Sequence, residues 1–321
     1  MKANHRMDAF CVVHSKAFVV SEDIDVLLQA WGEKRGFKIP DTRFFESARE
    51  EMKKRLLDFF PDVQFIKKGA IIENIGKRIP KGDASVVSLD KIYTRNARNL
   101  FEMEVTRMVG EDLEFLDNAS RIAKTIEEQI EDLATLIAPE NRKITLVDDV
   151  IFTGENLVSL IKKFRNAGIC VSGVISGISV EAGTEKILNE FDDVSIFSVI
   201  HYKDIVDEIC ERDFYVGVPL SGRLVGDRKN GAVVPISPET GVPYLLPFAD
   251  EQHAVSWSSV PEEHIRDWSR FCLEQSLKLW EEIEILSEKK VFCSDLERNP
   301  VSFGNEGSLV EKIRECLHGL Q

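Results

Sequence analysis

The chain is short of positive charge. Its 321 residues include 41 lysines and arginines against 55 aspartates and glutamates, which gives a formal net charge of −14 and a pI near 5.1. Such a surface repels nucleic-acid phosphates and anionic lipids, so the composition excludes generic nucleic-acid binding. A site for phosphate would have to be local, built from backbone amides and a few placed cations.

Long apolar runs are also missing. No stretch approaches the ~20 apolar residues that a membrane-spanning helix needs, so we expect no transmembrane segment and no membrane partner. The first residues include Lys2, His5, Arg6 and Asp8, and they lack the apolar centre of a signal peptide. The sequence therefore predicts a cytoplasmic protein.

Closely spaced cysteines are absent as well. The six cysteines stand at positions 11, 170, 210, 272, 293 and 316. No pair has the spacing of a zinc knuckle or a redox dithiol, and the histidines form no His-x-x-x-His pattern. Neither a Walker-type phosphate loop nor a Gly-x-Gly-x-x-Gly fingerprint occurs. We expect reduced thiols, as is usual in the cytosol.

The middle of the chain alternates apolar strands with amphipathic helices. Strands are predicted over 84–89, 144–147, 170–179, 194–202 and 214–218. Helices are predicted over 98–109, 116–137, 155–167, 185–191 and 204–212. This alternation predicts an α/β fold, a parallel sheet with helices on both faces.

The flanking segments have other patterns. A strand or short hairpin is predicted over 8–20, and helices over 23–34, 42–60, 262–287 and 308–320. Six of the eleven prolines fall between positions 219 and 261, so little regular structure is expected there.

We therefore predict three parts. An N-terminal α/β elaboration covers 1–82 and a core covers 83–222. A Pro/Gly-rich irregular segment with C-terminal helices that pack on the core covers 223–321.

One segment carries the clearest chemical signal. Residues 144–156 read Ile-Thr-Leu-Val-Asp-Asp-Val-Ile-Phe-Thr-Gly-Glu-Asn. An apolar strand ends in Asp148 and Asp149, and the turn at Thr153 and Gly154 opens a helix. In an open α/β sheet, ligands bind at this end of the strands. Helix amides beside a glycine can hold a phosphate without lysine, while the carboxylates suit sugar hydroxyls or the water shell of Mg²⁺.

This segment resembles the signature with which type I phosphoribosyltransferases bind phosphoribosyl pyrophosphate (PRPP). The resemblance implies a core of the type I phosphoribosyltransferase kind, with Mg²⁺ as cofactor and no metal ligand assigned directly. It implies that Asp148 and Asp149 hold the ribose hydroxyls and stabilise the ribose during transfer. It further implies that the 5′-phosphate is held by Thr153, Gly154, Glu155 and Asn156.

The resemblance implies two further parts of a site. A pyrophosphate loop would follow the strand at 84–89, where Lys91, Arg95 and Arg98 would face the leaving group. The alternative is a solvated loop with ordinary surface cations. A hood over the acceptor would begin at Phe214, Tyr215 and Val216, with the alternative that these aromatic residues belong to the core.

The chain departs from the family pattern at three places. Asn156 replaces a threonine or serine but still forms hydrogen bonds. Phe152 replaces the acid that acts on the purine ring in purine-salvage members, which argues against ordinary hypoxanthine or guanine salvage. Residues 110–137 are predicted to be helical where active members have a β-hairpin that closes over the reaction. Either another segment, such as 223–261, acts as the lid, or the domain binds without transferring.

Two functions follow. The first is PRPP-dependent phosphoribosyl transfer to a nucleobase or other acceptor with release of pyrophosphate, a glycosyltransferase of nucleotide metabolism. The second is a regulatory or effector module that binds PRPP or a nucleotide, related to stress response or defence. A two-metal nuclease or phosphatase is a weaker reading, because no further carboxylates have suitable spacing. Trp268 and Trp280 mark either a homodimer or partner interface or a helix packed on the core.

Overall fold

The computed structural model describes residues 6–80, 85–90, 92–94, 100–122, 124–137, 143–229 and 232–320. The chain forms two compact units. The first comprises Met1–Lys16, Lys67–Thr106 and Asn118–Ile205, and the second comprises Ala17–Ile66, Arg107–Asp117 and Val206–Gln321. The division at 82/83 and 222/223 stays a prediction.

The secondary structure of the described residues is as follows. The strands are β1 (Met7–Val13), β2 (Ala17–Ser21), β3 (Val63–Ile66), β4 (Ser85–Ser88), β5 (Leu100–Glu102), β6 (Val105–Val109), β7 (Phe115–Ser120), β8 (Lys143–Ile151), β9 (Cys170–Val180), β10 (Ser195–Tyr202), β11 (Ile205–Cys210), β12 (Arg223–Lys229), β13 (Ala232–Pro235), β14 (Thr240–Val242) and β15 (Asn299–Pro300). The helices are α1 (Ile24–Arg35), α2 (Thr42–Leu57), α3 (Lys68–Arg78), α4 (Ile126–Leu136), α5 (Glu155–Asn166), α6 (Glu181–Glu190), α7 (Glu251–Ser258), α8 (Ile265–Ser287) and α9 (Leu309–Gly319).

Six parallel strands form the sheet of the first unit, in the order β1–β10–β9–β8–β4–β5. On one face, apolar side chains of α4, α5 and α6 join those of the strands in a common core. On the other face, Ile71 of α3 comes within 2.9 Å of the position that a Cβ on Gly177 would take. Gly177 and the core residue Val174 have opposite parity on β9, so these contacts lie on opposite faces. The prediction of an α/β fold with a parallel sheet and helices is confirmed.

A β-hairpin occupies the stretch that was predicted to be helical. The amide of Gly110 donates to the carbonyl oxygen of Glu114 at 2.8 Å, and that of Arg121 donates to Glu104 at 3.0 Å, which is the register of a hairpin between β6 and β7. The helix predicted over 98–109 and the first half of that over 116–137 are therefore wrong. The glycine and Asp112 favour a turn, and this turn chemistry prevails over the helical spacing of the flanking apolar residues. Helix α4 begins only after Thr125, which forms a capping box with Glu128.

The remaining strands form two further sheets, most of whose residues belong to the second unit. Strands β11, β2 and β3 form one, in that order, and the other has the order β15–β14–β12–β6–β7 with β13 paired to β12. The strand or short hairpin predicted over 8–20 is two strands, β1 and β2, which belong to different sheets and therefore form no hairpin. The helix predicted over 204–212 is the strand β11, and the segment over 223–261 contains three strands and α7 rather than irregular chain.

Helix α8 packs in the interior of the second unit. Trp268 and Trp280 are fully buried. Of the two alternatives predicted for these residues, an interface or a helix packed in the core, their burial favours the core. No helix in the described part of the chain is long and apolar enough to cross a membrane. The six cysteines form no disulfide.

A buried network of charged side chains lies where β2 and β11 end. Arg49 donates to both carboxylate oxygens of Glu211 at 2.8 Å, and Arg212 forms an ion pair with Asp23. Burial of Asp23 outweighs its attraction to Arg212 and raises its pKa to about 6. Burial likewise outweighs the bonds from Arg49 and raises the pKa of Glu211 to about 7. Both groups therefore bind protons more tightly in the folded than in the unfolded chain.

The free energy of unfolding should fall between about pH 5 and pH 8 through these two groups, by roughly 4 kcal/mol, because the folded state loses its tightly bound protons in that range. Asp23→Asn and Glu211→Gln should each flatten this pH dependence, even where they lower the stability itself. Chemical denaturation across the pH range measures the slope, with the exposed Glu46→Gln as control. Burial lowers the pKa of His201, and this shift makes the free energy of unfolding rise with pH. The effect is the same in every variant, so it does not alter the comparison of slopes. Identical slopes in all four proteins would contradict the prediction.

Candidate functional site

Three carboxylates lie near the carboxyl ends of two neighbouring strands of the first unit. Asp148 and Asp149 lie near the end of β8, and Asp90 follows β4. The strands are in register there, because the amide of Leu89 donates to the carbonyl oxygen of Val147 at 2.8 Å. Asp90 was not singled out from the sequence, although it follows an apolar strand as Asp148 does.

Asp90 shapes the loop after β4. Its buried carboxylate accepts hydrogen bonds from the amides of Ile92 and Tyr93. The hydroxyl of Ser88 bonds to the Asp90 carbonyl oxygen at 2.7 Å and to the Thr94 hydroxyl at 2.8 Å. The loop therefore closes on itself and holds a negative charge inside it.

The three carboxylates repel one another. The pKa of Asp148 is raised well above its usual value, first by burial and then by the negative charges of Asp149 and Asp90. Relief would come from a proton, from a cation, or from hydroxyl groups that donate hydrogen bonds to the oxygens. The site is thus electrostatically suited to a polyhydroxylated or cation-bearing ligand.

The turn after β8 depends on two glycines. Gly154 has φ +74° and is the N-cap of α5. A Cβ on Gly154 would lie 2.5 Å from the carbonyl oxygen of Gly183 in α6, and a Cβ on Gly183 would lie 2.2 Å from that of Phe152. Real Cβ atoms do not come this close to another atom, so neither position can carry a side chain. The backbone of the turn after β8 therefore packs directly against the backbone of the first turn of α6.

This contact leaves the start of α5 open. Gly154 offers no side chain to cap the helix, and the hydroxyl of the exposed Thr153 accepts the first-turn amide of Glu155 at 3.4 Å. Within the described part of the chain, the half-buried amide group of Asn156 has no hydrogen-bond partner. Free amides at a helix N-terminus favour an anion.

A cation from α6 lies at this turn. The Lys186 ammonium contacts the Glu155 carboxylate at 2.7 Å. Lys186 was missed in the sequence, since its position depends on the Gly154–Gly183 contact that no local pattern reveals. It adds a positive charge beside the open helix end.

A row of polar side chains continues across the sheet from β8. The hydroxyls of Ser176 and Ser198 bond at 2.8 Å, and the Ser179 hydroxyl bonds to Nδ1 of His201 at 2.9 Å. Burial and then the positive charge of Lys203 lower the pKa of His201. The imidazole is therefore neutral at neutral pH.

The remaining predicted site residues have different positions. Lys91, Arg95 and Arg98 lie outside the described residues. Phe214, Tyr215 and Val216 are 0%, 2% and 0% exposed in the interior of the second unit, and the strand predicted over 214–218 is wrong. The backbone of Val216 is held by two side chains of α8, Ser276 and Trp280. These three residues present no surface on which an acceptor could stack.

Comparisons with known proteins give distant similarities only. No protein-family model and no curated protein matches the chain. The chain is similar to the solved adenine phosphoribosyltransferase of Trypanosoma brucei in complex with AMP, pyrophosphate and ribose-5-phosphate, at 12% identity over 42% of this chain and 64% of that one, with a TM-score of 0.28. It is similar to a purine phosphoribosyltransferase of Pyrococcus horikoshii, at 11% identity over 44% and 84% of the chains, with a TM-score of 0.27.

A protein from Aquifex aeolicus is similar over a longer stretch, with 16% identity over 61% of this chain and 88% of that one and a TM-score of 0.28. The assignment of the site depends on the geometry of the chain's own residues.

Replacing Gly183 by alanine should displace the turn at Gly154, because the new Cβ would overlap the Phe152 carbonyl oxygen. We expect Gly183→Ala to lose about 1–3 kcal/mol of unfolding free energy. Gly69→Ala is the matched control, since nothing lies within 4 Å of its Cβ position on α3. Equal midpoints of thermal unfolding for the two variants would show that the close contact is absent.

Proposed function

We propose that the first unit binds PRPP, or a closely related phosphoribosyl ligand, and transfers the phosphoribosyl group to an acceptor with release of pyrophosphate. One observation carries the proposal: a cluster of carboxylates and an uncapped helix N-terminus lie at the two ends of the same short turn, Asp148 to Asn156. Such a pairing suits a ligand that has hydroxyl groups at one end and a phosphate at the other.

The phosphate end of the ligand binds at the start of α5. The amides that follow Gly154 donate to the phosphate oxygens, and the Asn156 side chain and the Thr153 hydroxyl add two more donors. Lys186 supplies a positive charge at the same place and releases Glu155 when it turns to the ligand. The phosphate is bound by helix amides and a single lysine, so a chain with a net charge of −14 can bind it without a basic loop.

The ribose binds at the carboxylates. Its hydroxyls donate hydrogen bonds to Asp148 and Asp149, which relieves the repulsion that raises the pKa of Asp148. During transfer the bond from the anomeric carbon to pyrophosphate breaks, the bond to the acceptor forms, and the pyrophosphate leaves with the bonding electron pair. Fixed negative charge beside the ribose stabilises the positive charge that develops on its ring.

Magnesium fits this site through the ligand. Carboxylate oxygens are the donors that Mg²⁺ prefers. Among the described residues, however, no three metal-ligating side chains converge on one point. The chain therefore offers Asp148 and Asp149 to the water shell of an ion that the ligand itself carries. When bound, the ion neutralises charge on the departing pyrophosphate.

The β6–β7 hairpin removes one objection to transfer that the sequence raised. It stands in the chain between the loop after β4 and the strand β8, where the resemblance implies a hairpin that closes over the reaction. Its predicted absence was the main objection to catalysis, and that prediction is wrong.

One observation favours the second function, a regulatory or effector module that binds the same ligand without transferring it. Phe152 is half-buried at the position where purine-salvage members carry a proton-transferring acid, and its ring can accept no proton. The stress-response or defence role, the cytoplasmic location and a homodimer or protein partner stay predictions.

The wild-type protein should bind PRPP in the presence of Mg²⁺ in a calorimetric titration. Asp149→Asn should weaken binding by about 10- to 100-fold, since it removes the charge from hydrogen bonds to the ribose. Asp192→Asn changes the net charge equally at an exposed position and should bind as the wild type does. Absence of PRPP binding to the wild type would overturn both functions.

Pyrophosphate release separates the two functions. The wild type is incubated with PRPP, Mg²⁺ and a panel of nucleobases, and pyrophosphate is measured. Release that depends on one acceptor, and that falls in Asp149→Asn, supports transfer. Tight PRPP binding without release from any acceptor overturns transfer and leaves the binding module.

A further inference from the structure

A second cluster of unusual side chains lies in the second unit, around Arg223 at the start of β12. Three aromatic rings surround its guanidinium carbon, at 4.6 Å for Phe115, 4.6 Å for Tyr244 and 5.0 Å for Trp257. The rings of Tyr244 and Trp257 also contact each other, with centroids 5.5 Å apart. The guanidinium carbon lies over these rings, whose electron-rich faces attract its charge.

The guanidinium has no polar partner in the described part of the chain. No acceptor lies within hydrogen-bond distance of it and no carboxylate forms an ion pair with it, in contrast to Arg49, which binds three carboxylates. Its Nε is sealed from solvent without a hydrogen bond, whereas the two terminal nitrogens are not sealed. The sealed Nε is the costly donor, because it has lost water without gaining an acceptor, whereas the two terminal nitrogens stay open to an acceptor from solvent or from a ligand.

The charged groups nearby are engaged elsewhere. Asp213 accepts the amide of Gly222 at 2.9 Å. His253, whose ring packs on Trp257, bonds to Asp250 at 2.8 Å and lies 3.8 Å from Glu114. None of these carboxylates forms an ion pair with Arg223. The positive charge of its guanidinium is therefore not neutralised by a neighbouring side chain in this cluster.

Phe115 gives the cluster an open apolar side. Its side chain is 50% exposed, although the neighbouring Trp257 is only 3% exposed. The planar fork of an arginine matches the paired oxygens of a carboxylate or a phosphate, and an exposed ring beside it can stack on a planar group. The two features lie next to each other and can act on one ligand.

We propose that Arg223, Phe115, Tyr244 and Trp257 form a binding site for an oxyanion, a carboxylate or a phosphate, that is carried on a planar ring. The oxyanion binds to the open edge of the guanidinium and the ring lies against Phe115. All four residues belong to the second unit, and the inference does not rest on the function proposed for the first unit.

Four small probes test the site. Benzoate and phenyl phosphate carry a ring, whereas acetate and inorganic phosphate do not, and each pair distinguishes a carboxylate from a phosphate. Trp257 is the reporter, because its ring lies 5.0 Å from the guanidinium carbon of Arg223. We expect at least one ring-bearing probe to change the tryptophan fluorescence and to bind about tenfold more tightly than its ringless counterpart.

Variants then assign the binding to Arg223. Arg223→Lys keeps the charge and the cation–π contacts but loses the fork, so it should fold as the wild type does and bind the probe at least about tenfold more weakly. Phe115→Ala should reduce the advantage of the ring-bearing probe, and Trp257→Phe should abolish the signal. Arg43→Gln, an exposed arginine on α2, should bind the probe as the wild type does.

Gly183→Ala disturbs the turn at Gly154, which is the proposed phosphate site of the first unit. It should leave the response to the ring-bearing probe unchanged, which shows that the probe binds at Arg223 and not at that turn.

Two results would overturn the proposal. One is that no probe binds the wild type, and the other is that the folded Arg223→Lys protein binds every probe as tightly as the wild type.

Discussion

The contact between Gly154 and Gly183 is the constraint on which the candidate site depends. Two backbones meet there at distances, 2.5 Å and 2.2 Å from the missing Cβ positions, that no other residue type tolerates. The contact fixes the turn after β8 against the first turn of α6. It therefore sets where the N-terminal amides of α5 point, and it brings Lys186 to the same place. By fixing the turn, the contact between Gly154 and Gly183 holds the carboxylates at one end of the turn apart from the helix amides at the other end.

That separation resolves an electrostatic conflict. A phosphate and a group of carboxylates cannot occupy the same place in a chain of net charge −14 without mutual repulsion. The turn places them at opposite ends of a short segment, so each can meet a different part of one ligand. Asp90 strengthens the negative end, because it follows the neighbouring strand β4 and contributes to the raised pKa of Asp148. Binding of hydroxyl groups or of an ion at this end lowers the repulsion that the ligand-free site contains.

The sequence predicts the parts of the structure that local patterns control. The strand before Asp148 and the helix after Gly154 follow from apolar periodicity and a glycine, and the sheet follows from strand–helix alternation. The β6–β7 hairpin was missed, because the apolar residues near Leu116 fit helical spacing and only the turn chemistry at Gly110 speaks against it. Contacts between distant positions leave no local trace. Gly183 opposite Gly154 is one case, and the rings around Arg223, drawn from positions 115, 244 and 257, are another.

The most direct test of the central claim is a crystal structure of the protein with ribose 5-phosphate, a fragment that contains both groups the turn is proposed to bind. We predict that the phosphate lies on the backbone amides between Thr153 and Asn156 and that the ribose hydroxyls lie within hydrogen-bond distance of Asp148 and Asp149. A ligand bound elsewhere, or one held in the reverse orientation, would contradict the account. So would an empty turn at a saturating concentration of the sugar phosphate.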